Sequence, residues 1–519
     1  MTRLLQRRQQ PNQEIQTDDQ VSLRAKASDR DQDEREFLRY FTCLADGLDQ
    51  ELRQRINRTA IRTREIDSWN SSLSDFRRFI AQLSESQLCG GTVADVIAQY
   101  EQLARKKGCT LNNVAEVARA YESMDAFWND VSAQSRGDSS HTYWDTYEHG
   151  RRRQLEHLLA QMYGSEDGLL LNSGMSGIAV VCEMLNLRPG DTVVTGERSY
   201  FEITDFLDRF VSERGIRVVR VPVGDFQKVI AALQESKPRL VIIETVTNVP
   251  SVDVPENVPA WLEAAKQALF LIDNSVQSHL TCWFSILPQH ERLIILESGV
   301  KYLAHHCMAG ILYGNRTTLE RARNYARVAG QQLQEKAFNF INVAETEHLP
   351  EKLARHTQNV RLFHQTLQPY ARCFSLMNVL DSTATHGAAN TIFDEGIGAL
   401  LFVALPHDSG NANTAHRRLL DDWRQGAAQN GLIVQIRCGF GWNQTTARVY
   451  ESGFLNQPDA PTYLRVSVGI EPQWIVRSLA ETLGKTALAI SQVKLSAVHT
   501  SGSSEGSTEV QLFYPGFVA

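Results

Sequence analysis

The sequence predicts an α/β protein: a mostly parallel sheet covered on both faces by helices, with a helical extension before it and a smaller α+β domain after it. Three patterns in its 519 residues predict this arrangement. Short apolar runs at 239–244, 268–273 and 292–297 alternate with amphipathic stretches, the mark of strands buried from both sides. Ahead of them, Phe37, Leu38, Phe41, Leu44 and Leu48, then Val93, Val96, Ile97, Tyr100 and Leu103, recur with a helical period. Behind them, apolar runs at 398–405, 432–437 and 463–468 are interleaved with helical stretches at 414–430 and 472–490.

Taken in order, residues 1–35 are rich in Gln, Asp and Arg and nearly lack aromatic and β-branched side chains. They cannot offset the entropy of ordering and are expected to be disordered. The helical extension follows at 36–135, with Gly90 and Gly91 breaking two of its helices. The sheet domain occupies 136–325: strands at 168–172, 191–195 and 216–222 join the three named above, and helices at 176–185, 225–236 and 258–267 connect them. The smaller domain covers 326–496, and a Ser/Gly-rich flexible tail closes the chain at 497–519.

Composition narrows the function classes. Hydrophobic residues at 42% and charged residues at 22% are ordinary for a globular protein, and no apolar run approaches the ~18 residues of a membrane span. The start is polar and lacks the apolar core of a secretory signal, so a cytoplasmic location without membrane contact is expected. A net charge of -7, evenly spread, leaves no footprint for nucleic acid. Eight scattered cysteines with no C-x-x-C spacing point to free thiols rather than disulfides or zinc ligands. His305, His306 and Cys307 are adjacent on one short loop and do not suit a metal ion, so none is expected.

Ligands of parallel sheets bind beyond the carboxyl ends of the strands, where several candidates lie. Lys301, just past the 292–297 run, is a candidate Schiff-base nucleophile, or else a solvated surface lysine. Ser173, Gly174 and Met175 form a small-residue turn between a strand and a helix, able to cradle a phosphate on free amides or simply to turn the chain. Asp273 emerges from an apolar strand, where a protonated ring nitrogen would be its cationic partner, unless it caps a helix. Asn248 stands where it can donate to a phenolic oxygen or occupy a turn. Ser298 precedes the lysine by three residues and reaches toward the same phosphate. Arg465, within an alternating strand, suits a bidentate clamp on a carboxylate, or an exposed strand face. Each is ordinary alone; in this order they fit a pyridoxal phosphate site.

These residues resemble the Cys/Met-metabolism family of pyridoxal phosphate enzymes, of fold type I, which includes cystathionine γ-synthase, cystathionine γ-lyase and methionine γ-lyase. The likeness covers roughly 140–490. NSGMSG (172–177) is similar to the family's phosphate turn S-S-G-M-A-A, RPGD (188–191) to L-x-P-G-D, and ETVTN (244–248) to E-S-P-T-N. IDN (272–274) is similar to V-D-N, SGVKY (298–302) to S-x-T-K-Y, and RVSVGIE (465–471) to R-L-S-V-G-I-E, the most specific of them. The resemblance implies pyridoxal 5'-phosphate as cofactor, held by Ser173, Gly174, Met175, Asn248, Asp273, Ser298 and Lys301, with Tyr200 stacked on its ring. Lys301 and Tyr200 would be catalytic, and Arg465 would bind the α-carboxylate of a small amino-acid substrate. It further implies a homodimer, often paired into a homotetramer, whose neighbouring subunit grips the phosphate through a Y-x-R segment.

That segment is best matched here by Tyr143, but its arginine is missing, which leaves Arg151, Arg152 and Arg153 as replacements. Val300 stands in place of the family's threonine before the lysine, HHCM (305–308) replaces G-H-S-D, and CGFGWN (438–443) replaces the substrate loop S-L-G-G-x-E-S. The implied activity is elimination or replacement at Cγ of an amino acid through a vinylglycine-type intermediate, with the altered pocket admitting an unusual donor such as S-adenosylmethionine in specialised metabolism. A β-eliminating C–S lyase and a non-catalytic binding or scaffold protein on the same fold are the alternatives.

Overall fold

The structure is a computed structural model describing residues 18–56, 63–84, 88–114, 123–126, 128–129, 150–250, 253–287, 290–303, 306–379, 396–406, 412–451 and 461–500. Its centre is a seven-stranded sheet of β1 (Asp167–Leu171), β2 (Thr192–Gly196), β3 (Arg217–Val221), β4 (Leu240–Glu244), β5 (Leu269–Asp273), β6 (Leu293–Ser298) and β7 (Gly310–Gly314), in the order β1-β7-β6-β5-β4-β2-β3. Strands β3, β2, β4, β5 and β6 run parallel, and β7 is antiparallel to both β6 and β1.

The doubly apolar strands are explained by two separate cores. Leu240, Ile242, Leu271, Ile294 and Leu296 face one hydrophobic cluster, while Val241, Ile243, Phe270, Ile272, Leu293 and Ile295 face the other. Alternation with period two therefore divides each strand between both faces of the sheet, and each fully buried side chain contributes about 1.5–3 kcal/mol. Helices α5 (Gly174–Met184) and α9 (Arg316–Val328) lie on the first face; α4 (Gly150–Tyr163), α7 (Phe226–Ser236) and α8 (Val258–Ala264) contribute to the second. Asp225 caps α7 by accepting the Lys228 N–H, and Asn257 caps α8, whose N1/N2 positions include proline.

A second sheet, in the order β10-β11-β12-β9-β8, is built from β8 (Leu376–Val379), β9 (Leu400–Ala404), β10 (Gln435–Ile436), β11 (Thr446–Tyr450) and β12 (Tyr463–Ser467). It is antiparallel except for the β10–β11 pair. Helices α11 (Leu349–Leu367) and α12 (Ala412–Gln429) pack on it, and α13 (Gln473–Thr500) packs against both helices. The strand expected over 432–437 shrinks to Gln435–Ile436, and β7, β8 and β11 are strands the sequence reading did not assign. The last helix reaches Thr500, into the expected tail; the rest of that tail lies outside the described residues.

The extension contains α1 (Asp18–Ile56), α2 (Thr63–Leu83) and α3 (Gly90–Val114). Phe37, Leu38, Phe41, Leu44, Leu48, Val93, Val96, Ile97, Tyr100 and Leu103 are all buried, and they join the same core as the second face of the sheet. The first helix begins at Asp18, within the stretch expected to be disordered, of which residues 1–17 lie outside the described residues, and polar contacts hold its residues 30–34. Glu34 accepts the Leu88 N–H at 3.1 Å and pairs with Arg30 at 2.8 Å, Asp33 accepts the Gln473 N–H at 2.6 Å, and Arg30 lies 4.3 Å over Trp474. Composition alone cannot register such partners because they lie up to 440 positions away. The extension docks on residues 335–348: Tyr100 donates to Glu345 at 2.6 Å, Gly108 lets α3 close onto Phe340, and the fully buried Lys107 pairs with Glu51 at 2.7 Å and donates to the Ile341 carbonyl. Among the described residues no helix is long and apolar enough to cross a membrane.

Replacing Lys107 with Met removes the cation facing buried Glu51. It is expected to cost about 3 kcal/mol, the usual penalty for breaking a buried pair from one side. A urea midpoint equal to wild type would contradict this.

Candidate active site

The carboxyl ends of β4, β5 and β6, together with the turn after β1, open into one cavity of about 780 Å³ lined by Gly174, Tyr200, Asp273, Ser298 and Lys301. A second cavity of about 250 Å³ adjoins it and adds Arg465 and Arg448. The two share Tyr200, Glu202, Asn248, Lys301, Cys438 and Gly439. The sheet therefore brings nine of the sequence-expected residues together: Ser173, Gly174, Met175, Tyr200, Asn248, Asp273, Ser298, Lys301 and Arg465. Tyr143 lies outside the described residues.

At the phosphate-turn end, Ser173 has extended backbone and caps α5, its Oγ accepting the Ser176 N–H at 3.0 Å. Its hydroxyl thus serves the helix, and the amides of the first turn, at Gly174 and Met175, are the groups an anion would meet. Gly174 faces Ser298, and a Cβ there would stand 3.4 Å from that of Ser298, in ordinary contact. Gly310 on β7 is tighter still, since a Cβ would fall on the Ser173 carbonyl. Ser298 ends β6 and is fixed by donating its backbone N–H to the Ser275 hydroxyl at 2.7 Å.

Buried acids mark the strand ends. Asp273 of β5 is the register neighbour of Glu244 of β4. Burial raises the Asp273 carboxyl, while the Ser275 N–H, donating at 2.9 Å, and Lys301 oppose the shift. Burial, reinforced by Asp273, pushes Glu244 up to about 8 although the Tyr200 backbone N–H donates to it. Glu297 is likewise pushed up to about 8 by burial. A cation placed against Asp273 would relieve this acid cluster.

Lys301 follows β6 in a turn closed by its N–H on the Ser298 carbonyl at 3.2 Å. Burial foremost, then Arg465, lowers its amine from 10.5 to about 8, against the opposing pull of Asp273, Glu202 and Cys438. The loop 438–442 lies directly on it. Gly439 and Gly441 take φ of +85° and +76°, a Cβ at Gly439 would stand 3.8 Å from the Lys301 Nζ, and one at Gly441 would stand 2.5 Å from the Lys301 carbonyl. The Lys301 ammonium position is 5.1 Å from the Phe440 ring centroid.

Arg465 projects from β12, only 5% exposed, and donates to Asn248 Oδ1 at 3.1 Å and to the Gly439 carbonyl at 2.8 Å. The Asn248 amide oxygen is thereby committed, which turns its NH₂ toward other acceptors. Arg448 of β11 is the register partner of Arg465, and both guanidinium groups lie over Tyr450, at 5.3 and 4.6 Å. The Tyr200 phenol is held well above its ordinary value by burial and then by Glu202, so it stays protonated and offers a ring face rather than a base.

The sequence reading missed Glu202, Ser275 and Arg448 as site residues, and treated Phe440 and Trp442 only as parts of an altered loop. Arg448 carried a usable signal, since it alternates with Tyr450 in a strand-like TARVY run (446–450). Arg152 is buried and donates to the Leu333 carbonyl and Gln332, whereas Arg153 is exposed and pairs with Glu156 at 2.9 Å; the Arg151 side chain lies outside the described residues.

A family model described as Cys/Met metabolism PLP-dependent enzyme matches residues 108–400, more than half of the chain. A cystathionine beta-lyase of Neurospora crassa is 31% identical over 172 residues, covering 32% of this chain and 36% of that protein. An L-methionine gamma-lyase of Pseudomonas putida is 30% identical over 172 residues, covering 33% of this chain and 42% of that one. The chain thus spans less than half the length of these curated relatives. Among solved structures, cystathionine gamma synthase of Xanthomonas oryzae pv. oryzae in complex with cystathionine superposes with a TM-score of 0.58 at 18% identity, covering 73% of this chain and 93% of that one. The fold is therefore fold type I.

Because the free amine is the nucleophile and its proton leaves near pH 8, the rate at which Lys301 captures added pyridoxal phosphate is expected to rise with pH up to about 8 and then level off. Stopped-flow absorbance across pH 6–10.5 measures this, and a rise continuing past roughly pH 10 would contradict the depressed amine.

Proposed function

The chain belongs to the Cys/Met metabolism family of pyridoxal phosphate-dependent enzymes, and from that premise we propose that it eliminates or replaces a group at Cγ of a small amino acid. The observation that carries the reading is the convergence of Gly174, Asp273, Lys301 and Arg465 on two cavities that share a wall. The residues present suit the cofactor. The α5 amides and Ser298 match a phosphate, the raised Asp273 carboxyl matches a protonated ring nitrogen, and Tyr200 supplies a flat apolar face. Bound there, pyridoxal phosphate supplies an electron sink for negative charge developing on the substrate's carbon chain.

The protein's groups would then divide the remaining work. Arg465 binds the α-carboxylate, its fork oriented by Asn248 and the Gly439 carbonyl. Lys301, neutral at about pH 8, is the group placed to take a proton from Cα, then from Cβ, and to return one. Asp273 keeps the ring-nitrogen proton in place. Phe440, Trp442 and Val300 line the cavity and limit water.

The leaving group is the finer question. S-Adenosylmethionine would bring a sulfonium cation, whereas Arg448 beside Arg465 favours a substituent that carries negative charge. A second reading, β-elimination, is favoured by the likeness to a protein named cystathionine beta-lyase, since the same residues serve both reactions.

Product analysis separates these. Protein loaded with pyridoxal phosphate is expected to release 2-oxobutanoate from esters of homoserine, or to form a γ-replaced product with an added thiol. Release of pyruvate alone, from cysteine-type substrates alone, would sink the γ reading, and failure of borohydride to fix cofactor on Lys301 would sink the enzymatic one. Arg448→Met is expected to lower kcat/KM for a succinyl ester roughly tenfold or more while sparing the acetyl ester, the scale of one charge-assisted hydrogen bond.

A further inference from the structure

The helical extension carries a charged side chain to the outside of the cavity wall. Glu101 sits on α3 with its carboxylate 3.8 Å from the Arg437 guanidinium, at 18% side-chain exposure. Burial raises its pKa, and Arg437 is the largest of the charges that oppose the rise. Arg437 in turn lies 4.6 Å over the Trp442 ring. The indole N–H of Trp442 donates to the Cys438 carbonyl at 3.1 Å and so closes the loop 438–442 on itself. The inner side of that loop touches both ends of the site: the Gly439 carbonyl orients Arg465, Gly441 rests on the Lys301 carbonyl and donates its N–H to Ser467, and Trp442 and Phe440 line the cavity.

We infer that Glu101 is a positioning residue of the active site: by holding Arg437 over Trp442, the extension fixes the loop that presents Gly439 to Arg465 and Gly441 to Lys301. The inference rests on the cavity being the substrate site. A guanidinium over an indole is attracted by the ring face but slides across it readily, and a carboxylate paired with it restricts that freedom. The strand that leads into the loop is only the two residues Gln435–Ile436, so backbone pairing gives the loop little hold of its own. Glu101, on a 25-residue helix whose inner face is buried, is the firmer anchor. The extension is then part of the substrate wall and not only a stabilising cover.

The test uses the full-length, cofactor-loaded protein and two measurements. One is the calorimetric Kd for L-norleucine, which has no leaving group at Cγ. The other is the rate at which iodoacetamide alkylates Cys438, an exposed thiol on the loop, read by peptide mass spectrometry with exposed Cys43 and Cys109 as internal references. Glu101→Gln is expected to weaken norleucine and to speed Cys438 alkylation, each roughly three- to tenfold. Added to Arg437→Met, it should change nothing further, because it acts through that arginine. Asp46→Asn, which cuts an exposed Arg77–Asp46 pair within the extension, should behave as wild type.

Wild-type behaviour of Glu101→Gln, full additivity with Arg437→Met, or an equal effect of Asp46→Asn would overturn the inference, the last by reducing it to general loosening of the extension. The alkylation arm needs no substrate. It still decides the matter if the wild type binds no amino acid and the proposed function falls.

Discussion

Glu244 and Asp273 end two adjacent parallel strands as register neighbours, and Glu297 lies one residue from the end of the next. Burial raises all three, and the charge of Asp273 adds to the rise of Glu244 and Glu297. Such an arrangement persists only if the surrounding chain supplies donors and a cation. Backbone N–H groups of Tyr200 and Asn248 serve Glu244, and that of Ser275 serves Asp273. Lys301 supplies the nearby positive charge. The turns after β2, β4, β5 and β6 are therefore shaped by one electrostatic demand, and the cavity is where it is met.

The lysine that answers this demand is immobilised through its backbone. Its neighbour Tyr302 donates to the Val276 carbonyl at 3.0 Å, and the Tyr302 carbonyl accepts from the buried Lys352 at 2.8 Å. Gly441 approaches the Lys301 carbonyl more closely than any side-chain-bearing residue can. With the backbone pinned from three directions, the freedom that remains is that of the side chain. A proton shuttle between neighbouring carbons needs that combination, a fixed base with a reach of a few ångströms.

How far the sequence foretold this depends on the range of each interaction. Apolar runs made the buried strands β4, β5 and β6 legible because burial of both faces writes itself into consecutive residues. The site residues at the strand ends were legible too, since a small-residue turn, an acid leaving an apolar strand and a lysine past another are local patterns. Strand β7 was illegible because its short GILYG run (310–314) is recognised as a strand only by pairing antiparallel with two others. Glu202 was illegible as a site residue because it acquires its role from partners on other elements, whereas Arg448 showed in the alternation of TARVY (446–450) and only its pairing with Arg465 was hidden. The polar partners of Arg30, Asp33 and Glu34 on α1 were hidden for the same reason, since they lie on Trp474, Gln473 and Leu88.

That last point bears on how the extension is registered against the site. Apolar faces such as Phe37, Phe41 and Tyr100 supply non-directional attraction and would tolerate a shift by one helical turn. The polar contacts would not: Lys107 with Glu51 and the Ile341 carbonyl, Tyr100 with Glu345, and Asp33 with the Gln473 N–H each fit a single alignment. Removing a partner of Lys107 or Tyr100 leaves a buried polar group poorly satisfied, so a misregistered dock is disfavoured more steeply than lost apolar area alone would require. Buried charge here selects one arrangement of α1 and α3, and that arrangement is the one that carries Glu101 to Arg437.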